Sequence, residues 1–220
     1  MNQELTARDF PTVYKPYIDF IELMLTPARF QHCLGVAQCM AKAHHIYPQS
    51  GTAVQDWILA GLLHDVLKEA SLSTMLWWIN RHKASLLDDI PAHLHGCPTY
   101  LHGPAASVYV RHALGLADRD RDFYAAIAEH AGEYPNMCLM ARCLHVSDMC
   151  CPTTRYQGYG KLARIFFQGR LDEAEMLLDA WIIESIGNFG VPVHPHHPER
   201  LAELKRKIKP APGFFSRTDP

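Results

Sequence analysis

The chain has 220 residues, 48% hydrophobic and 20% charged, with a formal net charge of −2, which suits one sizeable domain with a real core rather than two. Its positive charge is scattered, which argues against nucleic acid as a partner, and its apolar runs are broken by charges well short of a membrane span. The opening MNQELTARDF lacks the basic start and apolar stretch of a secretory signal, so a cytoplasmic protein is expected.

The pattern is helical throughout, with no alternating runs bounded by turn dipeptides. A first amphipathic segment is predicted over Val13–Leu25, interrupted early by Pro16. Thr26-Pro27 reads as an N-cap followed by proline at the first helical position. It opens a helix from Ala28 to about His45, with Phe30, Leu34, Ala37 and Met40 at helical spacing and Arg29, Gln38 and Lys42 on the exposed side. After a turn over 46–52, a long helix is expected from Ala53 to about Ala70, and a short one over Ser71–Lys83. The pair Trp77-Trp78 is assigned to core packing, although this segment and the irregular 86–100 stretch are also candidates for a pocket cover or a homodimer contact. His102-Gly103-Pro104 opens the next predicted helix, to about Leu114. Further helices are expected from after Asp120 to near His130, over Met137–Met149 with Asn136 as cap, near 161–167, over 171–186 and over 199–208. Pro-rich 187–198 reads as a loop, and the last dozen residues as a flexible tail.

Seven cysteines, none in a CxxC pair, read as reduced and mostly buried thiols. The anomaly is histidine, of which there are fourteen. The pair His64-Asp65 closes the apolar run Trp57-Ile58-Leu59-Ala60-Gly61-Leu62-Leu63, and a carboxylate buried there needs a cation or a full set of hydrogen bonds. Two adjacent residues cannot hold a metal unaided, so further ligands are sought. His32 lies on the helix after Pro27, His102 just ahead of a proline, and His130 at a helix end. Asp148 follows Met137, Ala141 and Leu144 at spacings of 11, 7 and 4, on their apolar face. Singly each has an ordinary explanation as a core histidine or a paired carboxylate. Together they place six donors at the ends or inner faces of separate helices.

That order resembles the HD-domain superfamily of metal-dependent phosphohydrolases, and in detail the YqeK family of symmetrical diadenosine-tetraphosphate hydrolases. The matching segments are Arg29–Val36 (RFQHCLGV), Ala60–Lys68 (AGLLHDVLK), Leu101–Pro104 (LHGP), Ile127–His130 (IAEH) and Val146–Asp148 (VSD). The resemblance implies a single all-α helical bundle around a di-metal site, over residues 14–208, with 1–13 an N-terminal extension and 209–220 a tail. It implies that His32, His64, Asp65 and Asp148 hold one metal and that His102 and His130 hold a second, with Asp65 bridging. It also implies iron, while imidazole and carboxylate donors equally suit manganese or zinc. Two such ions generate a bridging hydroxide and stabilise charge in an in-line phosphoryl displacement, here of a small-molecule nucleotide.

Lys68, one turn beyond His64, and Arg155 are expected to meet substrate phosphate. The family's Thr-Ser-Gly-Arg-Pro-Gly-type loop after the fourth histidine is here Ala131-Gly132-Glu133-Tyr134-Pro135-Asn136. Donors are gone and a carboxylate has appeared, so Glu133 is expected either to face away or to meet a base or ribose hydroxyl. Cys151 stands where an acidic residue is usual. These departures bear on the substrate and leave the donors intact. A mixed-valent di-iron oxygenase and a non-catalytic nucleotide-binding module are the alternatives.

Overall fold

Which residues form helices follows from where apolar periodicity begins and where a proline or a polar contact ends it. The computed structural model describes residues 5–48, 51–82, 88, 90–132, 134, 136–151, 153, 158–186, 190–210 and 213–215. Ten α-helices occur among them: α1 (Lys15–Met24), α2 (Pro27–Ile46), α3 (Val54–Leu63), α4 (Leu72–His82), α5 (Pro98–Ala113), α6 (Arg121–Glu129), α7 (Leu139–Cys150), α8 (Tyr159–Phe166), α9 (Leu171–Ser185) and α10 (His196–Lys207). The described residues contain no strand, so the all-α class read from periodicity is the one that forms. None of these helices is long and apolar enough to cross a membrane.

Helix α3 is the axis. Every residue from Trp57 to Leu63 is buried, as a helix apolar on all sides must be. It packs on α1, α2, α6 and α7, beside a core that includes the fully buried Tyr100, Phe123 and Phe166. Two glycines set the closeness of the crossings. A Cβ on Gly61 would lie 2.6 Å from the Cα of Ala37 in α2, and one on Gly103 would lie 2.7 Å from the carbonyl oxygen of Ala128 in α6. Each glycine is within three residues of a candidate ligand, so the tightest contacts are those that bring the donors together.

Several boundaries differ from the sequence expectation. The helix predicted to reach Ala70 stops at Leu63, and the backbone bonds shorten from His64 N to Ala60 O (3.0 Å) to the i−3 pattern of Val66 to Leu63 (3.2 Å), Lys68 to Asp65 (2.9 Å) and Ala70 to Leu67 (3.1 Å). The cause is local: the His64 ring donates from Nδ1 to the carbonyl of Gly61 at 2.8 Å, the group that a continuing helix would have bonded to the amide of Asp65. Helix α5 starts at Pro98 rather than at His102, because Pro98 already occupies a favourable first-turn position and Pro104 is accommodated inside the helix. Likewise Pro16 lies in the first turn of α1 and does not interrupt it.

Asn136 does not cap α7. It adopts a left-handed φ of 62° in the preceding turn, and the Cys138 sulfur accepts from the amide of Ala141 instead. Thr26 precedes α2 as expected but makes no side-chain cap; its hydroxyl donates to Glu69 Oε1 at 2.7 Å and its amide to Oε2 at 2.9 Å. The core assignment fails for Trp77, which is 52% exposed, because α4 buries only Met75 and Ile79 and a residue two positions away faces outward. The segment ahead of α1 is docked rather than loose: Phe10 is buried, and the Gln31 amide bonds both the amide and the carbonyl of Leu5 at 2.9 and 2.8 Å.

Candidate metal centre

The six donors named from the sequence converge. His32 comes from the second turn of α2, His64 and Asp65 from the end of α3, His102 from α5, His130 from the end of α6 and Asp148 from the last turn of α7. Their ligating atoms form two groups able to hold a metal ion, His32–His64–Asp65–Asp148 and Asp65–His102–His130, and the atoms within each lie within 4.8 Å of one another. Asp65, buried to 1% exposure, belongs to both and divides its oxygens between them. Oδ2 lies 3.4 Å from His64 Nε2 and 3.8 Å from His32 Nε2, while Oδ1 lies 3.1 Å from His102 Nε2 and 3.4 Å from His130 Nε2.

The hydrogen bonding tests whether a cation fits. His64 and His130 occupy the C-cap positions of α3 and α6, and each donates from Nδ1 to a carbonyl three residues back, Gly61 and Ile127, at 2.8 Å. His102 uses Nδ1 toward Pro98 O at 3.2 Å. A neutral imidazole has one proton, so with these spent the Nε2 atoms of His102 and His130 face each other at 2.9 Å as two lone pairs. Burial holds both rings neutral, pushing His102 down to about 3, with the Lys68 charge assisting, and lowering His130 as well. The Lys68 ammonium, 3.1 Å from His102 Nε2, meets one of these lone pairs; a metal ion between the rings would meet both. Asp65 Oδ1, on the side of these two rings, is buried without an aligned hydrogen-bond partner; in the other group so is His64 Nε2, and His32 Nε2 sits 2.7 Å from Asp148 Oδ1 without hydrogen-bond alignment. Donors converging on a point rather than on one another are what a coordination shell requires, and the residues present fit a metal.

The two groups differ electrostatically. Burial opposes charge on His32, but contact with Asp148 wins and raises it to about 9. Burial likewise opposes charge on His64, and the Asp65 carboxylate outweighs it, raising the ring to about 10. Burial also works against the carboxylates, yet the His64 charge beside Asp65 and the His32 contact at Asp148 hold both well below the usual carboxylate range. The first group is thus a set of paired charges, whereas the two imidazoles of the second are neutral beside the shared Asp65 carboxylate.

Lys68 lies at the site as expected, with Nζ 3.1 Å from His102 Nε2 and 4.0 Å from Asp65 Oδ1. Glu133 and Arg155, the other expected substrate contacts, lie outside the described residues. Arg29, expected on the exposed side of its helix, instead donates from Nη1 to Asp65 Oδ2 at 2.7 Å. The signal was available, since Arg29 stands three residues before His32 and shares its face. Cys151 is buried, its sulfur 3.7 Å from His32 Nδ1 and 2.7 Å from the Thr153 hydroxyl. A separate recess of about 460 Å³, lined by residues that include Tyr134, Asn136, Arg142, His196 and Arg200, contains none of the six donors.

The HD domain family model matches residues 29–153, and the chain belongs to that family. The match spans all six donors. Among solved structures the chain resembles the "predicted HD superfamily hydrolase involved in NAD metabolism" from Clostridium acetobutylicum, at 21% identity and a TM-score of 0.77, covering 89% of this chain and 98% of that one. No curated protein matches the sequence. HD-domain membership accords with the all-α fold, and the matched segment carries a His/Asp cluster able to hold a metal ion.

Proposed function

We propose that the protein is a phosphohydrolase of the YqeK type, splitting a dinucleoside polyphosphate, diadenosine tetraphosphate to two ADP, in the cytoplasm. The observation that carries this reading is Asp65, whose two oxygens are shared between two donor groups while Arg29 and Lys68 stand over it. In this reading His32, His64, Asp65 and Asp148 hold one ion and Asp65, His102 and His130 the other, with iron the first candidate and manganese or zinc compatible. Ions held by these residues would supply an activated water near neutral pH and charge stabilisation for a phosphoryl group.

The chain's own groups do the rest. Asp65 fixes the relation between the two donor groups. His64 and His130, locked through Nδ1 to their own helices, keep Nε2 aimed inward without rotamer search. Lys68 and Arg29 supply cationic donors to a polyphosphate on the open side, Lys68 as a mobile point charge and Arg29 as a fixed fork.

The test is chromatographic. Purified full-length protein, loaded in parallel with iron, manganese or zinc, is incubated with diadenosine tetraphosphate, and ADP as the single nucleotide product supports the reading. NAD belongs in the same screen, because the structural neighbour's name places that protein in NAD metabolism and NAD also joins two nucleosides through phosphates. Oxygen uptake with a mixed-valent iron signal in electron paramagnetic resonance, and no phosphate-bond cleavage, would replace it with the oxygenase alternative.

A further inference from the structure

Behind the six donors lies a second group of buried metal-ligating side chains that the reading above does not use. His145 on α7, Asp179 on α9 and His197 on α10 are 3%, 0% and 1% exposed, and their ligating atoms lie within 4.8 Å of one another. The fastening repeats that of the site already described. His145 Nδ1 donates to the backbone carbonyl of His130 at 2.8 Å, as His64 and His130 donate to their own helix carbonyls, which leaves Nε2 as its ligating nitrogen. His197 Nδ1 lies 2.7 Å from Asp179 Oδ1, the same separation as His32 from Asp148.

Asp179 carries the argument. Its Oδ2 is buried without a hydrogen-bond partner, an expensive state for a carboxyl oxygen in the interior. The neighbouring cations are committed elsewhere: Arg142 pairs with Glu175 at 2.5 Å and with Asp172 at 2.6 Å, and Arg200 pairs with Glu175 at 2.9 Å. Glu175, one turn before Asp179, adds a like charge. A proton between His197 Nδ1 and Asp179 Oδ1, 2.7 Å apart, still leaves Oδ2 unmatched.

We propose that His145, Asp179 and His197 form a third cation site, structural in role, that takes a borderline divalent ion such as zinc. Two imidazoles and one carboxylate suit that ion, with one position of a tetrahedral shell left to water. The ion takes the place of the shared proton, matches Asp179 and joins α7, α9 and α10 at one point. Through the bond from His145 to the His130 carbonyl, the same point braces the end of α6.

The experiment counts zinc per chain in full-length protein, stripped and reloaded with zinc, then dialysed and measured by elemental analysis. His64→Ala/Asp65→Ala removes the shared Asp65 together with His64 and leaves two candidate ligands in each half of the first site. That variant is expected to retain one zinc per chain, and adding His197→Gln is expected to release it. In a background otherwise wild type, His197→Gln is expected to lower the count by one while circular dichroism shows an unchanged helical fold. Cobalt substitution gives a second readout: the double variant should show the visible band of a tetrahedral ion, lost on adding Asp179→Asn. Equal zinc counts in folded wild type and folded His197→Gln, or no zinc and no cobalt band in a folded double variant, would overturn the proposal. Neither outcome depends on finding the substrate, so this site and the hydrolase reading stand or fall separately.

Discussion

Arg29 Nη1 donates to Asp65 Oδ2 at 2.7 Å, although the two residues are 36 positions apart and Arg29 begins on a helix face that the sequence pattern marks as solvated. The guanidinium is 30% exposed and the carboxylate 1%, so the pair joins the solvent side of the site to its most buried group. Arg29→Ala is expected to leave metal content unchanged and to lower kcat/KM for an anionic substrate roughly 10–100-fold, the scale of one charge-assisted hydrogen bond. Arg29→Lys should recover only part of this, since the fork geometry is lost. Steady-state kinetics with parallel elemental analysis decides it; loss of metal in Arg29→Ala would make the residue a support of the ligands instead.

Loading the two donor groups should differ in proton balance. Near pH 7 the metal-free His32 and His64 carry protons, their values being about 9 and about 10, while Asp65 and Asp148 are already ionised. Imidazole binds metal only when neutral, so filling this group is expected to release about two protons. Its apparent affinity should therefore rise with pH up to about 9 to 10 and then level off. His102 and His130 are already neutral, so their group should load without release. Calorimetry in buffers of different ionisation enthalpy gives the proton count, and identical counts for both binding events would refute the assignment.

Lys68 should oppose metal at the second group. Its ammonium is 3.1 Å from His102 Nε2, where an ion would add like charge. Lys68→Met is expected to tighten the weaker binding event by roughly tenfold or more while reducing turnover. Titration of the stripped variant measures the first effect and a substrate assay the second; weaker metal binding would mean that Lys68 holds the ring in place.

Gly61→Ala should unfold early. The added Cβ would meet the Cα of Ala37 at 2.6 Å and its amide nitrogen at 2.8 Å, both backbone atoms, so α2 and α3 must separate. The expected cost is about 3 kcal/mol, or a fall of roughly 6–12 °C in Tm for a chain of this size. Differential scanning calorimetry checks it, with Gly96→Ala, where a Cβ meets open space, as the control.

Legibility in the sequence varied with the kind of interaction. The six donors could be found because burying His and Asp on apolar faces breaks the hydrophobic pattern visibly, and the all-α class because that pattern repeats through the chain. The end of α3 could not, since it depends on one ring-to-carbonyl bond, His64 to Gly61, that leaves no trace in periodicity. The His145–Asp179–His197 group was hidden for a different reason: Asp179 sits in the acidic run LDEAEMLLDA, where one more carboxylate reads as solvated face. The packing of α9 against α7 and α10 buries it.

His64 and His130 are each tied by Nδ1 to the helix that precedes them, at the same distance and the same three-residue offset. Their aim is thus inherited from main-chain position, and the spacing between the two donor groups is a property of how α3, α5 and α6 stack. Surrounding loops can change without retuning that spacing. Changes in the loops and changes in the donor set are therefore separable in this architecture, so the surroundings of the six donors can vary over a fixed frame of helices.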